Sequence, residues 1–297
     1  GVVNFDPFVF NHANAGYSSD TSKHKKYQLY LPSTINLTST ISFPENILAI
    51  YNTENENNSW IAQNGYVLKD NILCGILEND YQENTIINIP TSTKQITNDF
   101  MTTIYKSSLI ENLTTIILPT SLEKIGSNCF GKTKIQEIDI PNSVTEMSFW
   151  EYGYCPTTLK TITLHDTTEI IGDYGYIGKV DNIILDSNST KYIIENNVLY
   201  NKDKTQIYAV LYSDEKIDIQ IPNTVTIINK DAFKQENINS ITITEGTQLP
   251  SLNYLIIQGN SAEKINIPLS FAKTERPEDY LNKINITDSN KTYKEIY

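Results

Sequence analysis

Arginine is almost absent from this sequence, Arg276 being the only one among 297 residues. Sites that grip phosphates or carboxylates through two parallel N–H bonds normally draw on guanidinium forks, so that class of recognition loses weight. Cysteine is scarce too. Cys74, Cys129 and Cys155 form no Cys-x-x-Cys pair and stand at no short spacing from histidine, which indicates neither a zinc site nor a disulfide framework. No run of about 18 apolar residues occurs, so nothing reads as a membrane-spanning helix. The opening stretch GVVNFDPFVF is too short for a signal peptide and carries Asp6 and Pro7. If the protein is exported, its signal is expected upstream of this sequence.

Positive charge is also in short supply. The formal net charge is −12, and the densest basic run, Lys23-His24-Lys25-Lys26, reads as a solvated segment, so neither nucleic acid nor an anionic membrane is an expected partner. Catalytic signals are missing in the same way. GDYGYIG at 172–178 has three glycines but no lysine and no helix pattern after it, which excludes a phosphate cradle and leaves a turn. Carboxylates abound without any pair marked as an acid and a base. Cys155 and His165 have no orienting third group, and NKDKT at 201–205 lacks the downstream acidic ligand of a calcium loop. No catalytic residue, cofactor or metal is expected.

What the sequence does have is a repeat. Hydrophobic residues make up 39%, enough for a folded core. A short Ile-x-Ile strand runs into proline at Ile41–Pro44, Ile87–Pro90, Ile116–Pro119, Ile138–Pro141, Ile219–Pro222 and Ile265–Pro268. The strand recurs without proline at Ile162–Leu164, Ile183–Leu185 and Ile241–Ile243. Six residues past the proline position stands a second anchor: Ile50, Ile96, Ile125, Met147, Ile171 or Ile228. Five further on comes a large side chain: Met101, Phe130, Tyr152, Tyr176 or Phe233. Leu113, Ile135, Leu159 and Ile238 lie three residues before their strands, giving the L-x-x-L-x-L spacing of a leucine-rich repeat with isoleucine in most leucine positions.

One such segment cannot bury its own apolar side. Stacked on its neighbours it makes a continuous core and pairs each strand with the next in a parallel sheet. Proline fits the end of each strand because it has no N–H to leave unpaired. Strand spacing widens between 43 and 89 and between 185 and 221, around the similar stretches YVLKDNILCGIL and VLYNKDKTQIYAVL. Each reads as a β-hairpin inserted into a coil.

The segments IPNSVTEM, LPTSLEKIGSNCF and IPNTVTIINKDAF resemble the BspA-like leucine-rich repeats, and the resemblance covers residues 41–286. It implies a secreted or surface-attached protein of the kind found in host-associated bacteria and some parasitic protists. It also implies binding or adhesion rather than catalysis. Cys129 and Asp99 depart from the motif at the small-residue position, and the copy at 143–160 is enlarged around SFWEYGYCP.

The expected fold is therefore a right-handed leucine-rich-repeat solenoid of about nine coils. Its parallel sheet would line a concave face, with short irregular or helical turns on the convex face and two hairpin insertions. Residues 1–40 are expected to form a cap or linker and 287–297 a tail or cap. The middle side chain of each strand points away from the core, which makes Ser42, Asn88, Ile117, Asp139, Thr163, Ile184, Gln220, Thr242 and Asn266 the candidate binding face. Thr115, Glu137, Thr161, Asn182 and Ser240 flank it, and Phe149–Tyr154 offers a second, aromatic candidate. The expected partner is a protein, such as a host matrix component or receptor. The alternatives are a carbohydrate-binding accessory domain and a structural spacer of a larger surface protein.

Overall fold

The computed structural model describes residues 27–31, 47–52, 60–63, 66–76, 85–98, 100, 112–131, 133–149, 156–249, 262–272, 284–287 and 291–292. They belong to two compact units, residues 1–148 with 154–159 and 167–169, and residues 149–153 with 160–166 and 170–297. Each unit is a strand-rich stack of parallel β-coils, about seven turns in all.

The amino-terminal unit begins with β1 (Tyr27–Leu31), parallel to β2 (Ile47–Asn52). A meander of β3 (Trp60–Gln63), β4 (Tyr66–Lys69) and β5 (Ile72–Ile76) follows, β4 antiparallel to both of the others. Then the repeat takes over. β6 (Ile86–Asn88) pairs in parallel with β8 (Thr115–Ile117), and β10 (Glu137–Asp139) continues the series in sequence. Between them, β7 (Gln95–Ile96), β9 (Lys124–Ile125) and β11 (Glu146–Ser148) form a second parallel ladder. Each coil thus contributes two strands, and the second ladder is an element the Ile-x-Ile spacing did not announce.

The carboxy-terminal unit repeats the plan. β12 (Thr161–Leu164) pairs with β14 (Asn182–Leu185), and β13 (Glu169–Ile171) lies between them in sequence. A second meander comprises β15 (Tyr192–Glu195), β16 (Val198–Asn201) and β17 (Gln206–Val210). β18 (Ile217–Ile221) pairs in parallel with β20 (Ile238–Ile243), while β19 (Ile227–Ile228) pairs with β17. β21 (Lys264–Ile267) and β22 (Ile284–Ile286) extend the parallel sheet, and β23 (Lys291–Thr292) closes on β22 in antiparallel fashion. The one helical turn among the described residues is Leu269–Ala272. Eight of the nine expected Ile-x-Ile strands are present, and Ile41–Phe43 lies outside the described residues.

The isoleucines meet like on like. Ile219 pairs with Ile241, Ile241 with Ile265 and Ile265 with Ile284, and all four are essentially removed from water. Leu113, Ile135, Leu159 and Ile238, three residues before their strands, are buried as well. The prolines open a turn. Their carbonyls accept from the amide three residues on, at 2.9 Å from Thr93 to Pro90, 3.0 Å from Leu122 to Pro119 and 3.1 Å from Val225 to Pro222. Where Thr244 replaces proline, its N–H bonds to the Ile221 carbonyl of the preceding coil at 3.1 Å. Proline therefore stands where the ladder ends, and dispenses with that donor.

Two anchors sit one residue from their expected positions. Ile170, not Ile171, is buried in β13, and Ile177, not Tyr176, fills the core further along the same coil. A slip of one residue turns a strand side chain to the opposite face, so Ile171 is 41% exposed. Phe130 and Phe233 are buried as expected, while Met101 and Tyr152 lie outside the described residues.

Each insertion is a three-stranded meander whose last strand enters the second ladder, β5 beside β7 and β17 beside β19. Asp70-Asn71 and Asn196-Asn197 take left-handed conformations at both positions, the requirement of a two-residue hairpin turn matched to strand twist. In NKDKT the Asn201 carboxamide accepts the amides of Thr205 (2.9 Å) and Gln206 (2.8 Å), so this loop is a turn. The 172–178 stretch is also structural. A Cβ on Gly175 would come within 2.2 Å of the Tyr208 carbonyl oxygen, so only glycine allows that approach.

Replacing Ile241 by alanine is expected to cost about 2–5 kcal/mol. Thr242→Ala, on the outward side of the same strand, should cost about 1 kcal/mol or less. Urea midpoints of the two variants check the contrast. Thr93 fills the buried slot that Leu122, Val144 and Val225 hold in other coils, and its hydroxyl has no hydrogen-bond partner, whereas Thr168 in the same slot donates to the Val144 carbonyl at 3.0 Å. Thr93→Val is therefore expected to stabilise the protein by about 1 kcal/mol and Thr168→Val to destabilise it, as read by thermal and urea unfolding.

Candidate binding surface

The outward positions of the first ladder stand side by side because the strands pair in register. In the amino-terminal unit Ile86 faces Thr115 across the ladder and Asn88 faces Ile117. Burial alternates exposed, buried, exposed in β6, β8 and β10, so Asn88, Ile117, Glu137 and Asp139 all reach solvent. In the carboxy-terminal unit Thr163 pairs with Ile184, and Gln220, Thr242 and Asn266 form a row. Ser42 lies outside the described residues. Of the aromatic candidate only Phe149 is described, and it is a core side chain.

These positions are used in two ways. Asn266 donates from Nδ2 to Thr242 Oγ1 at 2.9 Å, Asn285 donates to Asn266 Oδ1 at 3.4 Å, and Gln220 donates to Thr244 Oγ1 at 3.4 Å. Asp218 accepts from Ser240 Oγ at 2.5 Å and from Asn239 Nδ2 at 2.8 Å. These bonds, the hydroxyl first, hold the Asp218 carboxyl below the usual carboxylate range. Glu263 is held low in the same way by the Lys216 ammonium. Gln220, Thr242 and Asn266 thus spend much of their hydrogen-bonding capacity tying one coil to the next.

Ile117 and Ile184 do the opposite. They are 51% and 49% exposed, and Ile86, which the Ile-x-Ile spacing did not single out because it precedes that motif, is 48% exposed. Neighbouring side chains do not cover them.

The densest polar constellation surrounds the His165 position, where proline stands in other copies. His165 Nδ1 lies 2.7 Å from Asp186 Oδ1, the carboxylate accepting from the imidazole N–H, and the Asp166 amide donates to Asp186 Oδ2 at 2.9 Å. Asp166 in turn accepts the Ser189 hydroxyl, the Thr190 amide at 2.5 Å and the Thr190 hydroxyl at 2.9 Å. Serine, histidine and aspartate are all present, but the Ser189 proton is committed to Asp166, so no relay toward an attacking oxygen is formed. The network fastens one turn to the next. Beside it an open groove of about 500 Å³ runs along Leu185, Asp186, Ser187, Asn188 and Ile193.

Desolvation alone would raise the Asp166 carboxyl, yet hydrogen bonds from Ser189 and Thr190 outweigh it and hold the group below its ordinary range. Asp186 is lowered first by the Asp166 amide and then by His165. Cys74 and Cys129 are buried; Cys129 Sγ lies 3.1 Å from the Thr97 carbonyl and 2.8 Å from that of Gly126. Among the described residues no group of three or more His, Cys, Asp or Glu is arranged to hold a metal ion.

Two ladders per coil, the turn opened by proline and the meander insertions define a leucine-rich-repeat protein. The model of the BspA type leucine rich repeat region matches in six copies across residues 102–213 and 205–295, more than half of the chain, and the chain belongs to this family. Among solved structures it is similar to a leucine-rich repeat protein from Eubacterium ventriosum ATCC 27560, with 23% identity and a TM-score of 0.47 over 62% of this chain and 54% of that one. It is also similar to the pneumococcal vaccine antigen PcpA (15% identity, TM-score 0.39, 88% of this chain and 60% of that one). A third is a leucine rich cell surface protein from Faecalibacterium prausnitzii A2-165 (18% identity, TM-score 0.39, 88% and 79%). The chain spans 54% of the Eubacterium protein and 60% of PcpA. No curated protein matches it.

A carboxylate held low in the folded state adds stability that is complete above its unfolded value, about 3.9 for aspartate, and is lost as pH falls through the folded value. Asp166 is such a group. Between pH 7 and pH 3 the urea midpoint of the native protein should therefore fall further than that of Asp166→Asn. At pH 7 the variant should be less stable by about 1 kcal/mol, a small figure because the group is partly exposed to water.

Proposed function

We propose that this chain is a non-catalytic, surface-displayed repeat protein that binds another protein through the outward face of the first ladder in each unit. The observation that carries the reading is the exposure of Ile117 and Ile184 at positions where every other described copy has a polar residue. Ile117 stands on one unit and Ile184 on the other, and large exposed aliphatic side chains are the usual anchors of a protein interface. The polar side chains around them give the hydrogen-bonding rim. Secretion or surface attachment follows from the family resemblance, as does the absence of catalysis, and the commitment of Ser189 to Asp166 supports the latter.

The nine outward positions bear no aromatic side chain, which weighs against sugar recognition by ring stacking. Host matrix components or receptors are the partners in view. We take residues 41–286 as the repeat domain, residues 1–40 as its leading cap or linker and 287–297 as its tail or cap. The antiparallel β22–β23 pair, which stops the parallel ladder, supports the last assignment.

The test is binding of the whole chain to a panel of immobilised matrix proteins, with Ile117→Asn and Ile184→Asn as separate variants. Ile227→Asn serves as control, since Ile227 is 53% exposed on the second ladder. Loss of an anchor is expected to weaken binding about tenfold or more, with the control unchanged. Equal binding by all four proteins overturns the reading.

A further inference from the structure

The first-ladder face of the amino-terminal unit carries an asymmetry of charge. Its exposed positions on β6, β8 and β10 are Ile86, Asn88, Thr115, Ile117, Glu137 and Asp139. Two are aliphatic, two are acidic and none is basic. Ile86 sits across from Thr115 and Ile117 across from Asn88, so the two isoleucines lie on a diagonal of the ladder, a separation of about 7–8 Å that one extended ligand spans. β10, the next strand of the series, brings both carboxylates. The repeat itself supplies the comparison: equivalent outward positions hold Thr163, Gln220, Thr242 and Asn266, so neither the isoleucines nor the carboxylates are needed to build a coil.

The second ladder shows what this protein does with surface charge when the purpose is structural. There Lys94 meets Glu123 and Lys124 meets Glu146 at 2.9 Å, each charge answered from the neighbouring coil. No lysine stands on β6, β8 or β10 to answer Glu137.

We propose that this patch binds an extended protein segment in which every second residue faces the sheet, two of these being aliphatic and the next lysine or arginine. The aliphatic groups cover Ile86 and Ile117, and the cations lie along β10 opposite Glu137. The proposal rests on the protein-binding reading above and gives that partner its chemistry. Burial of the isoleucines supplies the anchor, and the Glu137 carboxylate selects the sign of charge and speeds the encounter.

The probes are three labelled peptides of about six residues, a common strand length, whose one face carries two leucines followed by lysine, glutamate or serine and whose other face carries serine. Binding to the whole chain is followed by fluorescence anisotropy at low and high salt. The expected result is binding of the Leu-Lys peptide, weakened by salt, weakened about tenfold by Ile117→Asn and unaffected by Ile227→Asn. Glu137→Lys should move the preference toward the Leu-Glu peptide. If the Leu-Ser peptide binds as well as Leu-Lys and Ile117→Asn abolishes both, the cationic preference is overturned and the protein-binding reading stands. If Leu-Lys binding ignores both Ile117→Asn and Glu137→Lys, attraction to the net charge explains it and the proposal fails; the matrix-protein panel then judges the broader reading separately.

Discussion

The structure depends on one constraint: an isoleucine in a single coil leaves water only when an isoleucine of the next coil lies on it. A coil of some two dozen residues has no interior of its own, so Ile219, Ile241, Ile265 and Ile284 are buried solely by stacking on one another. The backbone follows the same rule, because a short parallel strand satisfies its amides only through the strand beside it. The turns are bolted in kind. Thr145 and Thr226 each direct amide and hydroxyl to a single carbonyl of the preceding coil, those of Glu123 and Thr205. Stability is therefore a sum of contacts between neighbours, and it leaves the outward side chains free to vary.

That freedom is where function resides. A coil closes equally well around threonine, glutamine, asparagine or isoleucine in the middle of its strand, so the choice there reports something other than folding. In the carboxy-terminal unit the choice includes a row of amides and a hydroxyl that bond across the ladder from Thr242 through Asn266 to Asn285, with Gln220 bonded to Thr244. In the amino-terminal unit it is Ile86, Ile117, Glu137 and Asp139. One scaffold thus presents a self-satisfied row from β20 to β22 and exposed aliphatic anchors at Ile86, Ile117 and Ile184.

The repeat was legible because burial with a fixed period leaves a fixed period in the sequence. Ile-x-Ile, the apolar residue three before it and the proline after it all follow from geometry that recurs in every coil. The second ladder was not legible, because two-residue strands such as Gln95–Ile96 and Ile227–Ile228 are too short to show any alternation. The meanders were half legible. Their similar strand pairs stand out, but the strand that precedes each pair has no repeat partner to mark it. In the coil after β12 the core slots fall on Ile170 and Ile177, next to equally apolar or aromatic neighbours at Ile171 and Tyr176, and composition cannot choose between adjacent residues of like hydrophobicity.

The sequence by itself determined that coils must stack, that strands must run parallel, and that the middle residue of each strand must face outward, since these follow from periodicity and the alternation of side chains. Only the tertiary structure decided which outward residues remain available. Thr242 and Asn266 look as open as Asn88 on paper, yet the register of β20 on β21 places their polar atoms within bonding distance, 24 residues apart in the chain. Ile86 looked like part of a strand's lead-in, and its exposure emerges only from its position across from Thr115. Cross-strand distance is a property of neighbouring coils, and no single repeat contains it.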